Sequence, residues 1–475
     1  MSAQERPPSK QGPAREAEGK ERRQKDGEEQ EEGKEKPYVG QRVGEVLDEV
    51  LGEALKLKLR LPVAIPKIPI PPPLDGEYHT PLAGKELHTE VFGEQVDIPA
   101  RDRRELLALS VGGTVFVPNV AGQVGVPFAA FFYRRYWDSG TVRGVFSGVV
   151  NDADFAQDIG LWKGVRFVAH AETNTIPFPT TEVLDGQEFT ASEALWGGGE
   201  VWLGGGWRMP IAPHEVDNDL RVECYYSAGA QYFYRTHNTG ARFVLPRNTY
   251  VHGLRFQVRL DAIQRNLLEL PHDGFALGAD VGYLRRDRWR DAGIIGPDGL
   301  PESKRSDVRD FLKFSAYGVW VTGVPFLSER HRLVLQAHGA WAPPEDLDRY
   351  SSFRIGGGPP TTEANDLARS PYPGANFNQF VVQYYAVASF EYRLEVLFFL
   401  YLHFRATLAW GKIPTLREVP GKLTFVKTRG EAYSVAVSSG FLWDSSVYLE
   451  YTYDSGAVRA GDAGHTILFS WSKAF

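Results

Sequence analysis

The sequence predicts an all-β protein, an antiparallel transmembrane β-barrel, from three observations: two-residue periodicity, an aromatic closing strand and the absence of long apolar runs. From about Leu106 onward, segments of roughly ten to fifteen residues rich in aromatic and β-branched side chains alternate with clusters of Gly, Pro, Asn and Asp. None of the 475 residues falls in an apolar run of 18 or more, so a conventional transmembrane helix is excluded. A barrel remains allowed, because each of its strands is short and half polar.

The last strand, residues 465–475, has the most regular alternation. Its large apolar side chains share one face: Ile467, Phe469, Trp471 and Phe475. The other face is small or polar: Ser470, Ser472 and Ala474. This pattern predicts lipid on one side and an aqueous lumen on the other, and the final Phe resembles the targeting signal that ends bacterial outer-membrane barrels. A soluble sandwich strand would have the same period, so this alternative stays open.

Fifteen candidate strands follow from the alternation along the chain. They are residues 106–117, 125–137, 140–150, 161–173, 193–209, 219–235, 249–262, 273–286, 310–323, 330–342, 378–395, 398–410, 430–442, 445–454 and 465–475. In the segment 378–395, the apolar face is predicted to run from Val382 to Leu394. Because bacterial single-chain barrels have an even number of strands, we expect sixteen, with one more between residues 86 and 192.

Composition and motifs exclude several functions. A net charge of -7 and a pI near 5.9 indicate no basic domain, so we expect no nucleic-acid partner. Cys224 is the only cysteine, so no intramolecular disulfide and no cysteine metal cluster can form. No Gly-x-Ser-x-Gly, HExxH or P-loop motif occurs, and we expect no enzyme activity, no catalytic residue, no metal and no cofactor. Catalytic groups assembled from distant strands remain an alternative.

The first 105 residues form two regions that differ from the body. Residues 1–36 mix acids and bases with almost no apolar side chain, which predicts a disordered charged tail. In residues 37–105, apolar positions recur at helical spacing over 43–55, which predicts an amphipathic helix, and a Pro-rich linker follows. The helix could plug a lumen, lie on a membrane or bind a partner. MSAQERPPSKQ contains no apolar h-region and hence no signal peptide, so either this is a mature or engineered chain with a new Met or the protein is not exported. The pattern of the last strand favours the first.

Three stretches of the body, residues 106–475, resemble the Omp85 superfamily of BamA-like outer-membrane barrels. LDAIQRNLLELPHDGFALGADVGY is similar to the family's strand-turn-strand segment, with Asp261, Pro271 and Gly274 at the matching positions. YSSFRIGGGPP resembles the start of the family's long sixth loop, here residues 344–376, with matching residues Arg354, Gly356, Gly357 and Gly358. SFEYRLEVLF resembles the Glu-Tyr-Arg strand that follows this loop.

The resemblance implies that the sixth loop folds back into the lumen, where an Arg-Gly-aromatic tip pairs with carboxylates on strands 12 and 13. This chain lacks that tip, and Arg369 is the nearest substitute; strand 13 carries Arg405 at the lumenal position instead of an acid. A buried charge needs a partner, so we expect a lumenal charge cluster of Glu391 with Arg393, Arg354 or Arg369. A charge solvated by a water-filled lumen is the alternative.

As to function, the resemblance implies a bacterial outer-membrane barrel that assists insertion or translocation of outer-membrane or surface proteins, or of lipid-linked cargo. Residues 37–105 are too short for the family's POTRA modules, so we expect a member without them. Its expected partners are outer-membrane lipid and, through the helix at 43–55, periplasmic or outer-membrane assembly proteins. Two alternatives remain: a passive channel or structural subunit of a larger complex, and a soluble all-β binding protein.

Overall fold

A computed structural model describes the chain from residue 79 onward, with gaps. The described residues are 79–91, 94–98, 104–120, 123–184, 187–212, 216, 218–289, 293–294, 309–343, 347–357, 367–375, 379–397, 399–416, 423–440, 445–459 and 461–475. The predicted tail, the predicted helix at 43–55 and Gly358 lie outside these residues. In the described part, no helix is long and apolar enough to cross a membrane.

In the described residues, sixteen antiparallel strands close into one barrel in which hydrogen-bonded neighbours follow chain order. The strands are β1 Glu105–Val120, β2 Gln123–Trp137, β3 Gly140–Phe146, β4 Val150–Asp158, β5 Val165–Leu184, β6 Gln187–Pro210, β7 Asp219–Arg235, β8 Thr249–Asp261, β9 Pro271–Arg286, β10 Asp310–Gly323, β11 His331–Trp341, β12 Tyr384–Leu397, β13 Leu400–Leu416, β14 Leu423–Ser439, β15 Ser445–Asp454 and β16 Gly464–Ala474. The all-β, sixteen-stranded fold predicted from the sequence is confirmed, and β4 is the additional strand expected between residues 86 and 192.

The barrel has two distinct ends. After each even-numbered strand the chain turns at one end, the turn end, where β1 begins and β16 finishes. After each odd-numbered strand it turns at the opposite end, the loop end, where the connection between β11 and β12, residues 342–383, is the longest. The strands β5 and β6 have 20 and 24 residues, well beyond the roughly 9–11 that cross a bilayer. The hairpin that they form is therefore longer than a bilayer crossing needs.

The two faces of the strands have opposite chemistry. On β16, Ile467 and Phe469 point outward and are 44% and 46% exposed, whereas Ser470 and Ser472 point inward and are buried. Exposed aromatic and aliphatic side chains also cover the outside of β10, β12 and β15, including Trp320, Phe390 and Leu449. An apolar exterior around a polar interior is the arrangement that a barrel needs in lipid.

The start of β12 differs from the prediction. We expected one strand from residue 378, but β12 begins at Tyr384, and Phe380–Val382 instead pairs with Phe353–Ile355 inside the long connection. Val382, expected on the lipid face, is only 3% exposed. The period of two is interrupted at Gln383, so the residues before it belong to a separate small sheet and not to the barrel wall.

A short segment before the barrel attaches to its turn end. Leu87–Val91 and Glu94–Ile98 form a two-stranded hairpin where the sequence predicts only a linker. Residues 79–83, which we call the strap, bind the barrel: the backbone N–H and the hydroxyl of Thr80 both donate to Oε1 of Glu395, at 2.8 and 2.5 Å. Glu395 is fully buried at the end of β12. The strap also bonds to the connection between β8 and β9.

Candidate functional site

The long connection between β11 and β12, which we call the long loop, lies inside the barrel. Its buried apolar side chains include Leu347, Phe353, Ile355, Tyr372 and Ala375. These side chains form one cluster with residues of the barrel wall, among them Phe116, Val251, Leu284 and Phe311. The described part of the loop therefore occupies the lumen toward the loop end, where its burial removes apolar surface from water.

Two charged residues at the start of the long loop, Asp348 and Arg349, bind the wall at two places. Oδ2 of Asp348 accepts a hydrogen bond of 2.7 Å from Arg286, whose side chain is completely buried in β9. The guanidinium of Arg349 donates to the carbonyls of Thr180 on β5 and Ser192 on β6, at 3.2 and 2.9 Å. One short segment of the loop thus links β9 to β5 and β6, which are four and three strands away around the wall.

The second half of the long loop reaches the last two strands. The hydroxyl of Tyr372 donates to Oδ1 of Asp454 at 2.8 Å, and the hydroxyl of Thr466 on β16 donates to the carbonyl of Gly374 at 3.1 Å. Burial, with the charge of Asp454, raises the pKa of the Tyr372 hydroxyl, so it stays a donor over the physiological range. The loop is consequently in contact with the strand that closes the barrel.

The glycine motif of the loop is a site of close backbone approach. A Cβ atom on Gly357 would lie 2.1 Å from the carbonyl oxygen of Ala375, which only glycine avoids. Next to it, the carbonyl of Gly356 accepts the backbone N–H of Tyr372 at 3.2 Å. The motif joins the two halves of the loop, and the guanidinium of Arg369 strengthens the junction by donating to the carbonyl of Gly357 at 2.5 Å.

Two of the expected partners of Glu391 lie elsewhere. The bond of Arg369 is to the loop backbone, and Arg354 donates to the carbonyl of Arg349 at 2.9 Å. Burial and the neighbouring Arg349 lower the pKa of Arg354 to about 10. Arg354 and Arg369, two of the three alternatives for the partner of Glu391, instead donate to carbonyls of the loop itself.

Glu391 is the centre of an ionic cluster on the lumenal wall and is only 3% exposed. Its Oε1 accepts a hydrogen bond of 2.7 Å from Arg393 and lies 3.0 Å from Nδ1 of His403. Its Oε2 accepts a hydrogen bond of 2.7 Å from Arg405 on β13. Of the three alternatives weighed from the sequence, the ion pair with Arg393 is the one present, and His403 and Arg405 complete the set.

The cluster continues to β15, and its formal charges balance. Arg405 lies 3.3 Å from Oε2 of Glu450, which also accepts the hydroxyl of Tyr448 at 2.6 Å. Two carboxylates thus face two guanidinium groups. We call Glu391, Arg393, His403, Arg405 and Glu450 the Glu391 cluster. Residues 403, 405 and 407 share one parity in the sequence, which is the signal that could have identified His403.

The family turn motif is connected to this cluster. Asp261 ends β8 and accepts hydrogen bonds from the backbone N–H of Ile263 and the guanidinium of Arg265. Gly274 has φ +104°, and a Cβ there would lie 2.2 Å from the carbonyl oxygen of Ala262. The carbonyl of Pro271 accepts a hydrogen bond of 2.6 Å from Arg393. Residues far apart in sequence are therefore joined at one place on the wall.

The barrel closes between β1 and β16 with ten residue pairs, from Val117 opposite His465 to Ala108 opposite Ala474. On the lumenal side, the Oγ atoms of Ser110 and Ser472 lie 2.9 Å apart. The pairings of β3 with β2 and with β4 have seven residue pairs each. The seam is consequently not the shortest pairing in the barrel.

These features define the class of protein as a sixteen-stranded β-barrel with an apolar exterior and a loop folded into its lumen. No protein-family model and no curated protein sequence matches the chain.

Among solved structures, the barrel is similar to BamA from Haemophilus ducreyi lacking POTRA domains 1–3, with a TM-score of 0.46, 9% identity, and coverage of 82% of this chain and 75% of that one. It is also similar to CdiB from Acinetobacter baumannii (TM-score 0.44, 11% identity, coverage 83% and 66%). For CdiB from Escherichia coli, the TM-score is 0.41 at 13% identity, with coverage of 85% and 69%.

Proposed function

We propose that this chain is a bacterial outer-membrane barrel of the Omp85 type that assists the insertion or translocation of outer-membrane or surface proteins, or of lipid-linked cargo. The observation that carries the proposal is the convergence of the three family-like stretches. The described part of the long loop packs inside the lumen, and the turn motif meets the Glu-Tyr-Arg strand through the 2.6 Å bond between the carbonyl of Pro271 and Arg393. The apolar exterior supports a place in the outer membrane.

In this proposal the seam between β1 and β16 is the part of the barrel that opens during activity. An unpaired backbone group in lipid costs several kcal/mol, so a seam of ten residue pairs opens only while another strand replaces the lost hydrogen bonds. An incoming strand that adds to the edge of β1 or β16 provides this replacement by β-augmentation. The long loop contacts β16 through Gly374 and Thr466, which couples the filled lumen to the strand that has to move.

A disulfide across the seam tests this mechanism. Ser110 and Ser472 are opposite each other, buried, and 2.9 Å apart at their Oγ atoms, so replacing both with Cys in a Cys224→Ala background creates a suitable pair. Gly112 is unsuitable, because a Cβ there would lie 2.1 Å from the carbonyl oxygen of Phe469. In cells depleted of the native protein, the oxidised variant is expected to lose activity, measured as the abundance of outer-membrane and surface proteins.

The matched control locks a pairing away from the seam. Ser434 on β14 and Thr452 on β15 are also opposite each other, buried and 2.9 Å apart at their oxygens. The Ser434→Cys/Thr452→Cys variant is expected to keep full activity when oxidised, and the seam variant is expected to recover activity on reduction. Full activity of the oxidised seam variant would overturn the opening mechanism.

The alternative is a passive channel or a structural subunit, and the completeness of the seam favours it. All ten pairs are formed, and Phe475 adds a bond of 2.8 Å from its N–H to the carbonyl of Leu107. Depletion of the protein distinguishes the two functions. A joint fall of many outer-membrane proteins or surface lipids supports assembly activity, whereas an envelope that lacks only this protein supports the alternative. Assembly proteins bound through the helix at 43–55 remain a proposal.

A further inference from the structure

A second group of charged side chains faces the lumen on β4 and β5 and has no part in the proposed function. Asp152 and Asp154 are two residues apart on β4 and point to the same side. Glu172 pairs with Asp152 across the sheet, and His170 pairs with Asp154. We call these four residues the His170 cluster. Asp152, Asp154 and His170 each offer a ligand atom, and these atoms lie within 4.8 Å of one another.

The imidazole is held with one nitrogen free for a ligand. Nδ1 of His170 lies 2.7 Å from Oδ1 of Asp154, so Nδ1–H donates to this carboxylate and Nε2 is the nitrogen that faces Asp152 and Glu172. The His170 side chain is only 10% exposed, and its Nε2 is buried without a hydrogen-bond partner. A buried nitrogen of this kind costs free energy unless something binds it.

Two further carboxylates surround that nitrogen. Nε2 of His170 lies 3.7 Å from Oδ2 of Asp152 and 4.0 Å from Oε2 of Glu172. These distances are too long for hydrogen bonds, but two ligands of one tetrahedral zinc ion lie roughly 3.3–3.6 Å apart. The Glu172 side chain is 50% exposed, so it has room to rotate toward Nε2.

The carboxylates of the cluster have several cationic neighbours. The guanidinium of Arg143 is 3.5 Å from Oδ1 of Asp152 and 3.6 Å from Oδ2 of Asp154, and the charges of Arg255 and Lys313 act on Glu172. The carboxylate oxygens nearest the imidazole, Oδ2 of Asp152 and Oδ1 of Asp154, are not those nearest Arg143. Carboxylate oxygens beside an imidazole nitrogen form a set of donor atoms that suits a divalent transition-metal cation.

We propose that His170 Nε2, Asp152 and Glu172 bind a divalent transition-metal cation of the zinc class, with Asp154 orienting the imidazole. An imidazole nitrogen with carboxylate oxygens suits such ions, whereas magnesium prefers an all-oxygen site. The Trp202 ring, whose centroid is 4.2 Å from that of His170, limits rotation of the ligand. The ion would link β4 to β5 next to the seven-pair contact between β3 and β4.

The test uses the untagged, full-length protein in detergent, stripped with a chelator and dialysed against zinc chloride. Bound zinc is measured by mass spectrometry and its affinity by calorimetry. We expect one tight site per chain that His170→Gln removes, with at least about a 100-fold loss of affinity, and little binding of magnesium. His252→Gln is the matched control, since His252 pairs with the single carboxylate of Asp287, at 3.0 Å.

The outcomes are decisive in both directions. Zinc that binds the native chain and His252→Gln but not His170→Gln supports the site. The absence of tight zinc binding, or binding that His170→Gln leaves unchanged, overturns it. If His170→Gln does not form a folded barrel, judged by its heat-modifiable electrophoretic mobility, Asp152→Asn is measured by the same criteria. The result is independent of the seam experiment, because it requires no insertion activity.

Discussion

The two ionic clusters of the lumen are built from the same kinds of side chain on neighbouring strands, yet they differ in how their carboxylates are paired and how deeply they are buried. In the Glu391 cluster, two carboxylates meet two guanidinium groups, and Glu391 is almost completely buried. In the His170 cluster, Arg143 is 3.5 Å from Asp152 and 3.6 Å from Asp154, and Asp154 and Glu172 are 43% and 50% exposed. The difference indicates that the first cluster holds strands together, whereas the second is more open and is proposed to bind a cation.

The largest effect is expected from Glu391→Gln. The substitution keeps the size of the side chain but leaves Arg393 and Arg405 without their shared carboxylate, and breaking a buried pair costs about 3–5 kcal/mol. We expect a loss of this order in the free energy of unfolding, measured by denaturant titration of the barrel in vesicles. Glu431→Gln is the control, because Glu431 pairs with Arg429 two residues away in a solvent-exposed position. Equal stability of the two variants would contradict a locking role for the first cluster.

Zinc should stabilise the barrel by a smaller amount. At a free zinc concentration of 100 times its dissociation constant, a ligand that binds only the folded state adds about 2.7 kcal/mol to the free energy of unfolding. We expect this gain in the native chain and no gain in Asp152→Asn, because Asp152 lies 3.7 Å from the free nitrogen of His170. Stabilisation of Asp152→Asn to the same extent would show that the ion binds elsewhere.

The smallest effect is expected from Asp154→Asn, which tests whether Asp154 orients the imidazole in the His170 cluster or binds the ion. Asp154 accepts the bond from Nδ1 of His170 at 2.7 Å and is proposed to orient the ring without binding the ion. Loss of such a partner typically weakens metal binding by about 10–100-fold. Calorimetry should therefore find a weaker site with unchanged stoichiometry, in contrast to the abolished site of His170→Gln. Complete loss would instead identify Asp154 as a ligand.

The sequence predicts most of the barrel but misses β4, and the reason is physical. Asn151, Asp152 and Asp154 give the strand the composition of a loop, because its lumenal face carries the acids of the His170 cluster. The strand and the proposed metal site are therefore missed together. The acidic side chains that are proposed to form the metal site are also the ones that remove the apolar alternation by which a strand is recognised.

Contacts across strands are harder to predict than contacts along one strand. Glu391 and Arg393 are two residues apart on β12, so their pairing follows from the period of two. His403 and Arg405 reach Glu391 only through the register of β13, which opposes Arg405 to Glu391. Register depends on hydrogen bonding between strands, which a single strand's pattern does not determine. The path of the long loop, which takes Arg369 to Gly357, is equally non-local.

The strap has a consequence for the order of events in biogenesis. Thr80 and Glu395 are 315 residues apart, and the strap also contacts Arg265 and Leu267 in the connection between β8 and β9. Because contacts at such sequence separation form late, the strap can dock only after the turn between β12 and β13 is in position. The strap is thus synthesised before the barrel strands but docks after most of them have formed. Protection of the strap from protease would report that nearly the whole wall has been completed.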